Sequence, residues 1–179
     1  MPTLVLVNGA PGAGKSTIAA AVAARRPLAL ALDIDALKHS LGGWRADQHR
    51  SGLQARRLAL ALIQRHLADG HDVVVGQYLA RTGFIEELAA VANALGAQFV
   101  EVVLVMDAGT LAARLAARLA TPDRPEHVIN NELVGPADSE RLVASIAEVL
   151  ARRPGALPVD ASGTLTGTVE AVLRLLPDA

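Results

Sequence analysis

Gly9-Ala10-Pro11-Gly12-Ala13-Gly14-Lys15-Ser16 fits the pattern G-x-x-x-x-G-K-[ST] of a phosphate-binding loop, and Thr17 follows it. Such a loop wraps an anion with successive backbone N–H groups, and the next helix aims its positive end at the same point. Gly9, Ala10, Pro11, Gly12, Ala13 and Gly14 therefore read as the cradle. Lys15 reads as the cation for β- and γ-phosphates, Ser16 as a Mg²⁺ ligand, and Thr17 as the closing residue of the nucleotide site. The flanks agree. Thr3 to Asn8 (TLVLVN) is a short apolar run, the pattern of a buried parallel strand. Ile18 to Ala24 (IAAAVAA) is strongly helix-forming.

Composition narrows the partners. The chain has 179 residues, enough for one domain with a substantial core. Its 51% hydrophobic content is mostly Ala, Leu and Val, with only four aromatic residues. That predicts an aliphatic α/β core and no stacking surface for nucleic acid. A net charge of −1 gives no polyanion-binding face. With no cysteine there is neither a disulfide framework nor a thiolate metal site. No apolar run is long enough to span a bilayer, and Met1-Pro2-Thr3 leads straight into the first strand, so the expectation is a cytoplasmic protein without a membrane partner.

Outward from the loop, Pro27 ends the first helix and Leu28 to Leu32 (LALAL) reads as a second parallel strand. Asp33-Ile34-Asp35 stands at its carboxyl end, where ligands of open parallel sheets bind. Two acids there can serve Mg²⁺ and a substrate hydroxyl, the reading the loop favours; Asp35 can at the same time cap Ala36-Leu37-Lys38. Gly42-Gly43-Trp44-Arg45 contains the only Trp, which reads either as a loop plug or as a wall of an acceptor pocket. Ser51 to Ala68 is amphipathic and helical, closed by Asp69-Gly70. Asp72 to Gln77 is the third strand, with Gly76 open to a close approach. Gln77, Tyr78 and Arg81 follow it on the rim of the loop. Arg81 reads as an anion contact or as a surface arginine. No acid ends this strand, so a metal-supporting carboxylate must come from elsewhere, and Asp33 is the candidate.

Phe84 to Leu95 is helical and Gln98 to Val105 is the fourth strand. Asp107 caps a helix over Thr110 to Leu119 that carries Arg114 and Arg118 on one face. Thr121-Pro122-Asp123-Arg124-Pro125-Glu126-His127 breaks the pattern. It reads as part of a small lid around 114–135, with Arg114, Arg118 and Arg124 neutralising developing charge. His127 has no partner at metal spacing and reads as a loop residue. Pro136 to Ala151 is amphipathic, Ala156 to Val159 is the last strand, and Thr164 to Leu176 the last helix.

The whole chain resembles the P-loop small-molecule kinases of the shikimate, gluconate and chloramphenicol kinase type. The resemblance rests on Gly9 to Ser16, Asp33-Ile34-Asp35, and the Arg114/Arg118 helix with its proline-rich continuation. Gly-Trp-Arg and the Val-Val-Val-Gly-Gln-Tyr strand end look nearest to the antibiotic phosphotransferase-like and tunicamycin-resistance-like branch. The resemblance implies a three-layer α/β/α sandwich with a five-stranded parallel sheet. It implies ATP and Mg²⁺ as cofactors, a small hydroxyl-bearing acceptor, and a monomer or homodimer. Lys15, Asp35, Arg114 and Arg118 would be catalytic, with Asp35 the base toward the acceptor and Asp33 serving the Mg²⁺ region. Asp35, Trp44, Gln77, Tyr78, Arg81 and Arg124 would line the acceptor site, and Asp160 would stand in the loop bordering the adenine. The acceptor signatures of gluconate and shikimate kinases are missing. Two other readings remain: a nucleotide-dependent switch acting on a protein, and a nucleotide-sugar kinase of the zeta toxin type.

Overall fold

The alternating Leu and Val of the first strand decide which layer each side chain joins. In this computed structural model, which describes residues 1–121 and 134–177, strand β1 (Thr3–Gly9) is buried along its whole length. Successive strand residues point to opposite faces. Leu4 and Leu6 enter one apolar cluster, while Val5 and Val7 enter another on the other side. A strand buried on both faces needs helices on both sides, and the sequence supplies them.

The helix α1 (Lys15–Ala23) follows the loop and covers the Val5/Val7 face with Ile18, Ala19 and Val22. Strand β2 (Leu30–Leu32) is three residues long, shorter than the LALAL run predicts. The chain spends Leu28 on a left-handed turn (φ 53°) before it can enter the sheet, a costly conformation for a residue with a Cβ. The helices α2 (Ile34–His39) and α3 (Gln48–Ala68) lead to β3 (Val73–Gly76). Ala55, Ala59 and Ile63 of α3 cover the Leu4/Leu6 face together with Ile85 and Leu88 of α4 (Gly83–Ala94). Strand β4 (Gln98–Val105) precedes α5 (Ala108–Ala120). A short 3₁₀ turn (Pro136–Asp138) opens α6 (Ser139–Arg152), and β5 (Leu157–Asp160) leads into α7 (Leu165–Leu173). Val169 and Val172 of α7 join the α1 side.

The five strands are parallel in the order β2-β3-β1-β4-β5. This is the three-layer α/β/α arrangement expected. The chain leaves β1 toward β3 and β2, but leaves β4 toward β5. The carboxyl ends of β1 and β4 thus flank the switch point where ligands of such sheets bind. At the opposite end Asp72 accepts a hydrogen bond from the Thr3 N–H (2.7 Å) and from Arg26 Nε (2.6 Å), and Arg26 also donates to the Pro177 carbonyl. That buried pair ties together the starts of β1 and β3 and the end of α1. Helix ends elsewhere fall within a few residues of the periodic pattern. Gly96, at φ 65°, stops the chain after α4, as its position predicts.

Candidate active site

The loop is shaped before any ligand arrives. Gly12 (φ 91°) and Gly14 (φ 88°) occupy left-handed conformations that favour glycine. Gly12 also lies against α5: a Cβ there would come within 3.0 Å of Leu115 Cδ2. Gly14 is the N-cap of α1 and offers no side-chain cap, so the first amides of the helix remain open toward an anion. Lys15 bends back and donates from Nζ to the Ala10 carbonyl at 2.9 Å. Withdrawal from water lowers its pKa to about 8, with Asp35 and Asp33 opposing the shift and Arg118 adding to it.

Asn8 anchors the loop, although sequence reasoning passes over it. It is fully buried; its Oδ1 accepts from the Gly9 N–H (2.8 Å) and the Leu79 N–H (2.9 Å), and its Nδ2 donates to the Leu79 carbonyl (3.0 Å). One amide thus joins the end of β1 to the segment after β3. The signal was present: a polar residue closing an apolar strand immediately before the glycine.

Ser16 donates from Oγ to Asp33 Oδ2 at 2.8 Å. The other Asp33 oxygen accepts from the Asp35 and Ala36 N–H groups and caps α2. Asp33, not Asp35, is therefore the helix cap. Its extended backbone (φ −112°) suits the N-cap, whereas Asp35 already lies in the first turn. Freed from capping, the Asp35 carboxyl stands near Lys15. Burial and the neighbouring Asp33 raise its pKa, with Lys15, His39 and Lys38 opposing. One hydroxyl and one carboxylate at hydrogen-bond distance fit Mg²⁺, which keeps several waters and takes one or two protein ligands beside phosphate oxygens. Among the described residues no cluster of three His, Cys, Asp or Glu could hold a metal by itself.

Strand β3 approaches the loop as closely as its glycine permits. A Cβ on Gly76 would lie 3.0 Å from the Lys15 carbonyl oxygen and 3.1 Å from Ser16 Cα. Gln77 follows, half-buried, its N–H donating to the Val7 carbonyl and its Oε1 buried without a hydrogen-bond partner among the described residues. Tyr78 turns away: its hydroxyl pairs with Ser145 Oγ of α6 at 2.8 Å. Arg81 is exposed. Trp44 is half-buried and packs on the His39 ring (centroids 4.4 Å apart), beside α2.

Arg118 is half-buried on the Lys15 side of α5, close enough to lower the lysine's pKa. Arg114, one turn earlier, donates to the Ala161 (2.6 Å) and Gly163 (3.3 Å) carbonyls. It therefore joins α5 to the loop after β5. Asp160, the last residue of β5, accepts from the Ser162 N–H at 2.9 Å, and that bond holds its carboxyl below the usual range. Arg124, His127 and most of the expected lid lie outside the described residues.

A family profile described as an AAA domain matches residues 4–134, nearly three quarters of the chain. The chain belongs to this AAA-domain family. No curated protein sequence matches it. Among solved structures, it is similar to a gluconokinase from Sinorhizobium meliloti 1021, at 21% identity and a TM-score of 0.62, over 97% of this chain and 90% of that one. It is also similar to the tunicamycin resistance protein of Deinococcus radiodurans (12% identity, TM-score 0.64, 98% and 95% covered). A third is an APS kinase from Mycobacterium tuberculosis (18%, 0.56, 97% and 96%). At these identities the likeness is one of fold, the five-stranded parallel α/β sheet of P-loop NTPases. For this AAA-domain protein the family match spans the loop, the Asp33/Asp35 pair and α5. No described helix is long and apolar enough to cross a membrane.

Proposed function

We propose that this protein is an ATP- and Mg²⁺-dependent phosphotransferase that moves the γ-phosphate of ATP to a hydroxyl of a small molecule. One observation carries the reading: Asp35, a carboxylate of raised pKa, stands uncapped beside the loop lysine while its neighbour Asp33 holds Ser16. A general base works best when its pKa approaches the working pH. Burial and the Asp33 charge push Asp35 in that direction.

The roles divide by geometry. The open amides of the loop and α1 bind the phosphates. Lys15 leaves the Ala10 carbonyl for the β- and γ-oxygens. Ser16 and Asp33 would hold Mg²⁺, which when bound neutralises phosphate charge. Asp35 orients the acceptor hydroxyl and takes its proton as the new O–P bond forms. The bond from the γ-phosphorus to the bridging oxygen breaks, and ADP leaves. Arg118 stabilises the charge on the transferring group. Arg114 holds the loop after β5 against α5, beside the place for the base. Gln77 and Trp44 face the acceptor, and Tyr78 supports that wall from behind. The acceptor classes to try first are antibiotics, nucleosides, sugars and nucleotide-sugars, in a protein working in the cytoplasm.

The test is ADP release with Mg·ATP across such a panel, with Asp35→Ala alongside. Acceptor-stimulated release that falls by about 10²–10⁴-fold in the variant, with nucleotide affinity nearly kept, is the expected outcome. Release indifferent to every acceptor and to the variant would overturn the proposal in favour of a nucleotide switch.

A further inference from the structure

The chain is nearly neutral overall, yet one stretch is strongly basic. From Ala36 to Arg57 it carries Lys38, Arg45, Arg50, Arg56 and Arg57 against a single acid, Asp47. Asp47 is occupied as the cap of α3, accepting from the Arg50 N–H. The first residues of the basic stretch lie beside Asp35. Asp35 and His39 are four residues apart on α2, hence on one face and about one turn apart, roughly 5–6 Å. Lys38 and His39 both lie near enough to Asp35 to favour its charged form.

Trp44 gathers these groups. His39 packs on its ring, Lys38 Nζ lies 5.3 Å from the ring centroid, and the Arg45 guanidinium carbon lies at 5.2 Å. The His39 Nδ1 is withdrawn from solvent and has no hydrogen-bond partner among the described residues. On α3, Arg56 rests on the Phe84 ring at 5.2 Å, and Arg81 precedes that phenylalanine by three residues. No described ion pair involves Lys38, Arg45, Arg56 or Arg81. Asp35 is the carboxylate nearest Lys38 and His39, but it forms no described ion pair with Lys38 or Arg45, and cations that share one aromatic ring gain from an anion that joins them. The His39 Nδ1 adds a second cost, because burial has removed its water and no described hydrogen bond replaces it.

We infer that the acceptor carries an anionic group, a carboxylate or a phosphate, about one helical turn from the hydroxyl it offers to Asp35, and that Lys38, His39 and Arg45 around Trp44 receive that anion. This rests on the phosphotransferase reading above. His39 donates from Nδ1, and Lys38 and Arg45 supply charge. The group so held fixes which hydroxyl reaches Asp35.

Trp44 is the only tryptophan, so its emission reports on this pocket directly. The experiment titrates the full chain, with Mg·ADP bound, against matched pairs: gluconate and sorbitol, glucose 6-phosphate and glucose, a nucleoside 5′-monophosphate and its nucleoside. ADP release is measured in parallel with Mg·ATP. In at least one pair the anionic member should move Trp44 emission at about tenfold lower concentration than the neutral one, a difference of about 1.4 kcal/mol. The gluconate pair and the two phosphate pairs tell carboxylate from phosphate. The Lys38→Gln/Arg45→Gln double variant should lose that preference, raising the acceptor KM far more than it lowers kcat. His39→Asn, whose amide nitrogen can replace Nδ1, should keep the preference that His39→Leu loses. A merely structural histidine would not alter the ratio of anionic to neutral acceptor. Equal response to both members of every pair, or no response to any, overturns the inference. Emission that responds to anions without any stimulated ADP release would instead sink the phosphotransferase reading and leave the anion site standing.

Discussion

Lys15 and Asp35 show how two titratable groups can be held away from their ordinary pKa values by the same enclosure. Lys15, lowered to about 8, is partly deprotonated just above that pH in the free protein. Bound phosphate favours the ammonium and raises the pKa again. Nucleotide binding should therefore take up a fraction of a proton near pH 8.5 and almost none near pH 6.5. Calorimetry in buffers of different ionisation enthalpy measures that number. Asp35 works in the opposite sense. Its carboxylate is destabilised by burial and by Asp33, so Asp35→Asn should raise the melting temperature of the ligand-free protein while abolishing turnover. With Asp35 as the proposed base, the acid limb of kcat/KM should lie above the usual carboxylate range, because a protonated carboxyl cannot accept the hydroxyl's proton. Both acids and the lysine were legible in the sequence, since spacing after a strand end places them. Which of the two acids caps the helix was not. Which aspartate caps α2 depends on backbone dihedrals, and no spacing rule distinguishes Asp33 from Asp35.

At the level of elements, the site depends on how closely strand and loop approach. Gly76 brings β3 against the backbone of Lys15 and Ser16, and its Cβ would meet main-chain atoms that cannot swing aside. Gly76→Ala should cost about 1–3 kcal/mol of stability. It should also weaken nucleotide binding more than acceptor binding, as nucleotide and acceptor titrations would measure. The close approach was foreseen for this glycine, but its partner was not, because the partner is 60 residues away in the chain. The same separation hid the Asn8 clamp to Leu79. Pattern and position found the described strands and long helices; the short α2 was foreseen only as residues after a possible cap, and β2 is shortened where Leu28 turns left-handed. Arg114 was read as a phosphate ligand alone. Its bonds to Ala161 and Gly163 join α5 to a loop that no local pattern connects with it.

For the whole molecule, the two ends of the sheet divide stability from chemistry. The carboxyl ends hold the left-handed glycines of the loop and the shifted Lys15 and Asp35. The amino ends hold the Arg26–Asp72 pair, with Arg26's side chain only 6% exposed. Removing one member of a buried pair strands the other, so Arg26→Ala should cost about 3–5 kcal/mol in denaturant unfolding. Turnover per folded molecule should change little, because the pair lies across the sheet from the loop. The order β2-β3-β1-β4-β5 has a further consequence, in time. Strand β1 sits between β3 and β4, yet both are synthesised after it. At about 5–20 residues per second, a ribosome leaves Leu4-Val5-Leu6-Val7 unpaired for several seconds until Val73–Gly76 emerges. During that interval the future centre of the sheet is its most adhesive segment. Nascent chains arrested before Val73 should therefore recruit chaperones, and those released past Val105 should not.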